Sequence, residues 1–405
     1  MLYDAYEMQR SMLAGASAMA TFGADWMRNP ANPWSYVGGG QLVSAALEVC
    51  AHASATRDKP AFGLTHTTVD GREVAVHEEI VLQKPFGQLK RFRREGVEGS
   101  PKLLIVAPMS GHFATLLRGT VERMLPTAEV YITDWRDAKL VPLSDGRFDL
   151  DDYIDYLIEF MEAIGPGGHM LAVCQPSVPC YAAVSLMSAD QNPCRPRTLT
   201  MMGGPVDTRE APTAVNTLAT ERPHAWFEQN VVVTVPMMYP GAGRKVYPGF
   251  LQLAGFMSMN LGNHMVSHWE MFKHLVQGDG ESADATKGFY EEYRSVCDMT
   301  AEFYLQTVDL VFQTHALPRG EMMHRGRRVD PGAITDVGVL AIEGERDDIS
   351  GLGQTRAALT LATHLPDDKK RYLMAEGAGH YGIFNGSKWR NHVAPVVEEW
   401  MAANA

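Results

Sequence analysis

Residues 167–186 read GGHMLAVCQPSVPCYAAVSL. The first half is a short apolar run of strand character, and the second, from Val178, is rich in small residues that suit a helix. A single cysteine, Cys174, stands at the junction. A nucleophile on a sharp strand-to-helix turn has its reactive atom exposed above the sheet, and the usual sequence for such a turn is G-x-S-x-G. Here the five residues are Ala172-Val173-Cys174-Gln175-Pro176, so alanine and proline replace the glycines and sulfur replaces oxygen. The segment predicts a thiol nucleophile at the end of a strand.

The flanking sequence repeats the strand-then-helix pattern. PKLLIVAP is an apolar run closed by Pro108, followed by helical periodicity from about Phe113 to Met124. EVYITDW is the next strand, and LDDYIDYLIEFMEAI is an amphipathic helix that begins with acids and ends at Gly165. TLTMMGGP follows the elbow as a further strand, and VGVLAIEGERDD and RYLMAEGAGHYG resume the pattern later. Apolar strands separated by helices imply an α/β fold with a mostly parallel sheet covered on both faces. From Val76, VHEEIVLQ and LKRFRRE read as two strands joined by a turn at Lys-Pro-Phe-Gly.

Between Val206 and Asp336 the alternation breaks into Pro-rich turns, the clusters PMMYPG, FMSM and HWEMF, and the acidic loop GDGESADATKG. An interruption of about 130 residues is too long for a loop in a compact domain, so an inserted, mainly helical cap is expected. The expected organisation is an N-terminal helical segment over 1–75 packed on the core, a core over 76–205 and 336–405, and a cap over 206–335.

The chain has 405 residues, 45% hydrophobic and 21% charged, as befits a globular protein. Its net charge of -12 argues against nucleic-acid or anionic-membrane partners, which require a basic surface, although Lys90-Arg91-Phe92-Arg93-Arg94 is locally basic. Five cysteines (50, 174, 180, 194, 297) without any CxxC disfavour a disulfide framework or a zinc site and favour a reducing, cytoplasmic compartment. The N-terminus carries Asp4 and Glu7 and one positive charge before its apolar run, so it reads as a docking helix rather than a secretion signal. No apolar run approaches the ~18 residues of a membrane span.

Nucleophilic catalysis needs an attacking atom, a base to take its proton and an acid that fixes the tautomer of the base. In the α/β-hydrolase arrangement these follow in the order nucleophile, acid, histidine, each just after a strand. The chain offers Cys174 after HMLAV, Asp347 or Asp348 after VGVLAIEGE, and His380 after RYLMAEGAG. A lone cysteine is more often a packed thiol than a nucleophile; the flanking elements and two partners in order reverse that weighting. Cys180, inside the helix, and Cys194, in a Pro-rich loop, read as packing or surface thiols. His380 sits in GAGHYG, where glycines permit a sharp turn. Asp347 and Asp348 would point apart, so only one can orient His380, and spacing does not choose between them.

The oxyanion formed on ester attack requires backbone donors. One is the N–H of the residue after the nucleophile, Gln175, and the other comes from the loop Ala107-Pro108-Met109-Ser110-Gly111-His112. Pro108 has no N–H, so Met109 is the expected donor, with Ser110 as the alternative. Ser110 and His112 are the candidate substrate-binding residues, His112 belonging to the pocket wall or to loop packing.

These residues resemble the intracellular polyhydroxyalkanoate depolymerases, which act on short-chain polyesters such as poly-3-hydroxybutyrate. The resemblance is carried by VYITDWRDAKLVPLSDGRFDLDDYIDYLIEFMEAIGP, AVCQPSVP, GERDDISG and EGAGHYGIFNGSKWR. MLYDAYEMQR and IVAPMSGHFATLLRGTVE are similar too, so it spans nearly the whole chain. It implies an α/β-hydrolase fold with a cap and a triad of Cys174, Asp347 and His380, the acid being the first aspartate of the D-D-I run. It also implies a cytoplasmic protein on polyester storage granules that needs no metal or resident cofactor. Met237, Met238, Met257, Met259, Met265 and Met271, with Trp226, Tyr239, Trp269 and Phe272, would give a cap adaptable apolar contact with a granule, although each singly is more often cap core.

On this reading Cys174 forms a thioester with a 3-hydroxyalkanoate unit, and water releases the acid. Coenzyme A is a second candidate acceptor, because thioesters exchange with thiols. The alternatives are a polyester synthase, disfavoured by Pro176 where synthases carry glycine, a non-catalytic granule-binding protein, and a small-molecule esterase of the dienelactone hydrolase kind. Homo-oligomer formation stays open.

Overall fold

The computed structural model describes residues 2–36, 39–259, 269–276, 287–288 and 290–405. Met265, the side chain of Met259 and most of the acidic loop GDGESADATKG lie outside the described residues.

One sheet holds β1 (His66–Val69), β2 (Arg72–Lys84), β3 (Gly87–Arg94), β4 (Lys102–Val106), β5 (Glu129–Trp135), β6 (His169–Val173), β7 (Thr198–Met202), β8 (Gly338–Gly344) and β9 (Lys370–Ala375). Their order is β1-β2-β3-β5-β4-β6-β7-β8-β9. From β5 to β9 every neighbouring pair is parallel, and β1, β2 and β3 extend that sheet with antiparallel pairings. The central β6, β7 and β8 are buried along their whole length, which is why their sequences are continuous apolar runs rather than alternating ones.

The chain leaves β4 toward β5 on one side and returns to β6 on the other. Connections diverge at that point, opening a crevice at the carboxyl ends of β4 and β6, the general position of ligand sites in open α/β sheets. Cys174 follows β6 directly, and the loop 107–113 follows β4.

The hairpin β1–β2 corrects the sequence reading, which began the strands at Val76 and so drew a boundary inside β2. Asp70 and Gly71 make its turn with φ of 50° and 76°. This is the Asp-Gly signal of a two-residue hairpin, in which both central residues need positive φ. Upstream lie α1 (Leu2–Arg28) and α2 (Gly40–Ser54). The start of α1 docks on the insertion: buried Tyr3 donates to Asp298 Oδ2 at 2.6 Å and packs on Phe250 at 5.6 Å.

Between the sheet strands run α3 (Arg118–Met124), α4 (Leu150–Ile164) and α5 (Ser177–Ala189). The stretch read as helical from Phe113 opens as a 3-10 turn, Ala114–Leu117, before α3. The acids at the start of α4 form a capping box, in which Asp149 and Asp152 each accept the other's N–H, while Tyr153, Leu157, Phe160 and Met161 bury one stripe.

The insertion between β7 and β8 contains α6 (Ala214–Glu221), α7 (His224–Asn230), α8 (Gly249–Met259) and α9 (Ala301–Thr307). It also holds a small antiparallel sheet of Val233–Thr234, Lys245–Tyr247 and Met299–Thr300, and a hairpin pairing Met323–His324 with Arg327–Arg328. Its last third does not stand apart. Met299, Phe303, Val311, Leu317, Met322 and Ile334 join the same hydrophobic core as the sheet. A boundary at 335 therefore cuts through packed core. Met271 is fully buried and Tyr239 packs on Tyr3, so these two serve as packing, whereas Met237 and Met238 are exposed.

Candidate active site

Because β6 stops at Val173 and α5 starts at Ser177, the turn consists of Cys174, Gln175 and Pro176 alone. Cys174 takes φ 66°, a left-handed conformation that costs a non-glycine residue about 1–3 kcal/mol. Two backbone bonds impose it: Cys174 N–H donates to Met202 O at 2.7 Å, and Ser177 N–H donates to Cys174 O at 3.1 Å. The elbow leaves no room beside it. A Cβ on Gly204 would lie 1.9 Å from Ser177 Oγ, and one on Gly203 would lie 3.1 Å from His380 Cε1. The signal for this close approach in the sequence is the Gly-Gly pair itself, since glycines at a strand end often mark one. Gly204→Ala is expected to cost about 3 kcal/mol or more and to abolish activity, checked by thermal unfolding alongside an ester assay.

His380 Nδ1 lies 2.7 Å from Asp347 Oδ2, and the same imidazole hydrogen-bonds Cys174. With Nδ1 turned to the acid, Nε2 is the nitrogen left for the thiol. Asp347 is held in turn, its Oδ1 accepting the N–H groups of Ile349 and Ser350, both at 2.9 Å. Of the two adjacent aspartates, Asp347 is the one that reaches His380, whereas Asp348 acts on Tyr293 and Tyr381. Burial pulls the pKa of His380 down, but its interactions with Cys174 and Asp347 outweigh it and hold the imidazole well above its ordinary value.

Met109 N–H, one expected oxyanion donor, points at the crevice and donates to Gln175 Oε1 at 3.1 Å. The side chain of Gln175 thus occupies the N–H expected to face a substrate oxygen, and among the described residues its Nε2 is buried without a partner. Spacing had shown only the Gln175 backbone. Gln175→Ala keeps that backbone donor and removes the competitor, so KM for a soluble ester is expected to fall by about fivefold with kcat nearly unchanged, the worth of roughly one hydrogen bond. Steady-state kinetics on a chromogenic ester checks this.

The two remaining candidates differ in position. Ser110 is half-buried in the loop after β4. His112 is buried and engaged in packing: its Nε2 lies 3.0 Å from Tyr293 O, and its backbone bridges to Val296. Burial, only partly offset by that carbonyl, pushes its pKa down to about 4, so it stays neutral at pH 7. Tyr293 in turn meets Tyr381 edge-on at 5.8 Å, and Tyr381 stands beside His380 at 5.9 Å. This tyrosine pair, which residue order could not bring together, ties the insertion to the histidine loop. Among the described residues no cluster of His, Cys, Asp and Glu is arranged to hold a metal ion, and no helix is long and apolar enough to cross a membrane.

A mostly parallel sheet with this strand order and a strained strand-to-helix elbow after its central strand defines an α/β-hydrolase fold. Solved structures with a similar chain trace include a putative lipase from Acinetobacter baumannii AYE, 12% identical with a TM-score of 0.43, covering 81% of this chain and 93% of that one. A 2-hydroxy-6-oxo-6-phenylhexa-2,4-dienoate hydrolase from Rhodococcus sp. strain RHA1 is 11% identical with a TM-score of 0.44, covering 81% and 99%. The thioesterase domain from the curacin biosynthetic pathway is 11% identical with a TM-score of 0.42, covering 81% and 99%. No curated protein matches the sequence. The family described as PHB de-polymerase C-terminus matches residues 203–405, half of the chain, and the protein belongs to that family.

Proposed function

We propose that the protein is a depolymerase that cleaves the ester bonds of short-chain polyhydroxyalkanoate, such as poly-3-hydroxybutyrate, by nucleophilic attack from Cys174. The observation that carries this reading is the connected set Cys174–His380–Asp347, set on a strained elbow in a chain of the PHB de-polymerase family.

His380 Nε2 takes the thiol proton, and the Cys174 sulfur attacks the ester carbonyl carbon. The carbonyl oxygen becomes an anion, displaces Gln175 Oε1 and accepts from the N–H groups of Met109 and Gln175. As the intermediate collapses, the C–O bond breaks and His380 returns its proton to the departing hydroxyl end. The acyl group remains as a thioester on Cys174. Water, deprotonated by His380, then attacks the thioester and frees a 3-hydroxy acid, and sulfur recovers the proton. Coenzyme A in place of water would give the acyl thioester of coenzyme A. The exposed methionines Met237 and Met238 of the insertion suit contact with an uncharged polyester granule in the cytoplasm.

Acid-quenched mixtures of protein and a soluble 3-hydroxybutyrate ester test the covalent step by mass spectrometry of peptides. An acyl adduct on the peptide bearing Cys174, chased by water or coenzyme A, is expected. Turnover with no adduct there, or an adduct on another residue, would refute the role of Cys174.

A further inference from the structure

A second cavity lies away from the triad. It is bounded by α1, α2, the loop after β4, the end of β5 and α8, and has a volume of about 1490 Å³. Its wall is mainly apolar, with Leu13, Val49, Phe113, Leu253, Met257 and Val296 facing it. Small-molecule pockets typically run from about 300 to 1,000 Å³, so this one has room for an extended chain.

The basic groups of the wall divide into three sets. Arg10 is paired with Asp58 at 3.0 Å, Lys59 with Asp134 at 2.5 Å and Lys139 with Asp137 at 3.2 Å. Arg136, at the rim, is exposed to water. Arg57 and Arg294 are half-buried, and among the described residues neither forms an ion pair. Instead the two guanidinium groups converge on one carbonyl, His52 O at the end of α2, at 2.9 Å from Arg57 and 3.3 Å from Arg294. Arg57 also donates to Ala55 O at 3.1 Å, and among the described residues its buried Nε has no acceptor. Burial first, and then the like charge of Arg294, pushes the pKa of Arg57 down to about 10 against the pull of Glu291, so it stays charged at neutral pH. Two like charges held together in an apolar enclosure are costly unless an anion joins them. The acids of the wall do not fill that role: Asp298 is engaged by Tyr3, and Asp137 by Lys139.

We propose that this cavity binds a chain-like carboxylate, the chain lying along the apolar wall and its terminal carboxylate received by Arg57 and Arg294. A guanidinium pair matches the two oxygens of a carboxylate. If the proposed function holds, the natural occupant is a 3-hydroxyalkanoate oligomer with a free acid end, the product of ester cleavage; that identity rests on the proposed function, whereas the site itself does not. Residues of the cavity wall adjoin residues that surround the triad. Arg294 follows Tyr293, whose ring meets Tyr381 beside His380, and Val296 and Phe113 flank the His112 bridge.

Titration calorimetry on the non-hydrolysing C174A chain tests the proposal, with a linear 3-hydroxybutyrate tetramer as free acid, its methyl ester, and dodecanoate as ligands. The acids are expected to bind at least about tenfold tighter than the ester. Arg57→Gln and Arg294→Gln should each lower acid affinity to the level of the ester while ester affinity holds, and Arg57→Lys should keep most of the preference. Equal binding of acid and ester, or acid binding unmoved by both glutamine variants, would overturn the site. Arginine-dependent binding of dodecanoate in a protein that fails to cleave polyester would uphold the site and reject only the oligomer as its natural ligand.

Discussion

Cys174→Gly is expected to abolish ester cleavage and, at the same time, to stabilise the fold. Loss of the attacking sulfur removes the covalent route, and knocking out a triad nucleophile lowers kcat by roughly 10⁴- to 10⁶-fold. The gain in stability has a separate cause. Cys174 holds φ 66°, where a Cβ is strained and glycine is not, so removing the side chain is expected to return about 1 kcal/mol. Cys174→Ala keeps the Cβ and so loses activity without that gain. Thermal unfolding and an ester assay on the three proteins check both halves. A glycine variant that loses stability would contradict the strain argument, and one that keeps activity would contradict the nucleophile.

Asp347→Asn is the second large effect, with an expected fall in kcat of roughly 10²- to 10⁴-fold. Asn accepts the N–H groups of Ile349 and Ser350 as the acid does, so the loop should persist, but it removes the carboxylate charge that faces His380. The imidazole pKa then drops. The sign follows from linkage: a histidine whose folded pKa is raised contributes stability that is complete below its unfolded value, about 6.5, and is lost as pH rises through the raised folded value. Asp347 therefore favours the charged form of His380 in the parent protein, and because His380 must be neutral to take the thiol proton, the acid limb of kcat/KM is expected to move to lower pH in Asp347→Asn. Asp348→Asn should leave that limb in place. A shift in the Asp348 variant and none in the Asp347 variant would reverse the assignment.

The elbow was legible because a strand buried on both faces must be an uninterrupted apolar run, and HMLAV is followed at once by a helix of small residues. Asp347 against Asp348 was not, since adjacent residues in a loop differ by orientation, which only the N–H groups of Ile349 and Ser350 decide. The hairpin at Asp70-Gly71 carried its signal in plain view, but β2 is charged and exposed along much of its length and offers weak periodicity. The core role of residues 299–334 was hidden because their apolar positions follow no single period: a helix, a π-helical turn and irregular chain all contribute. Gln175 shows the limit most clearly. Its backbone was assigned by its place after the nucleophile, whereas its side chain on Met109 depends on a rotamer that spacing does not encode.

Release of 3-hydroxy acids from native, amorphous poly-3-hydroxybutyrate granules, measured for the parent protein and Cys174→Ala at equal granule loading, tests the central claim most directly. The account predicts steady acid release from the parent, none above background from the variant, and equal amounts of both proteins bound to the granules. Acid release by Cys174→Ala at the parental rate, or none from the parent while it cleaves soluble esters, would contradict it.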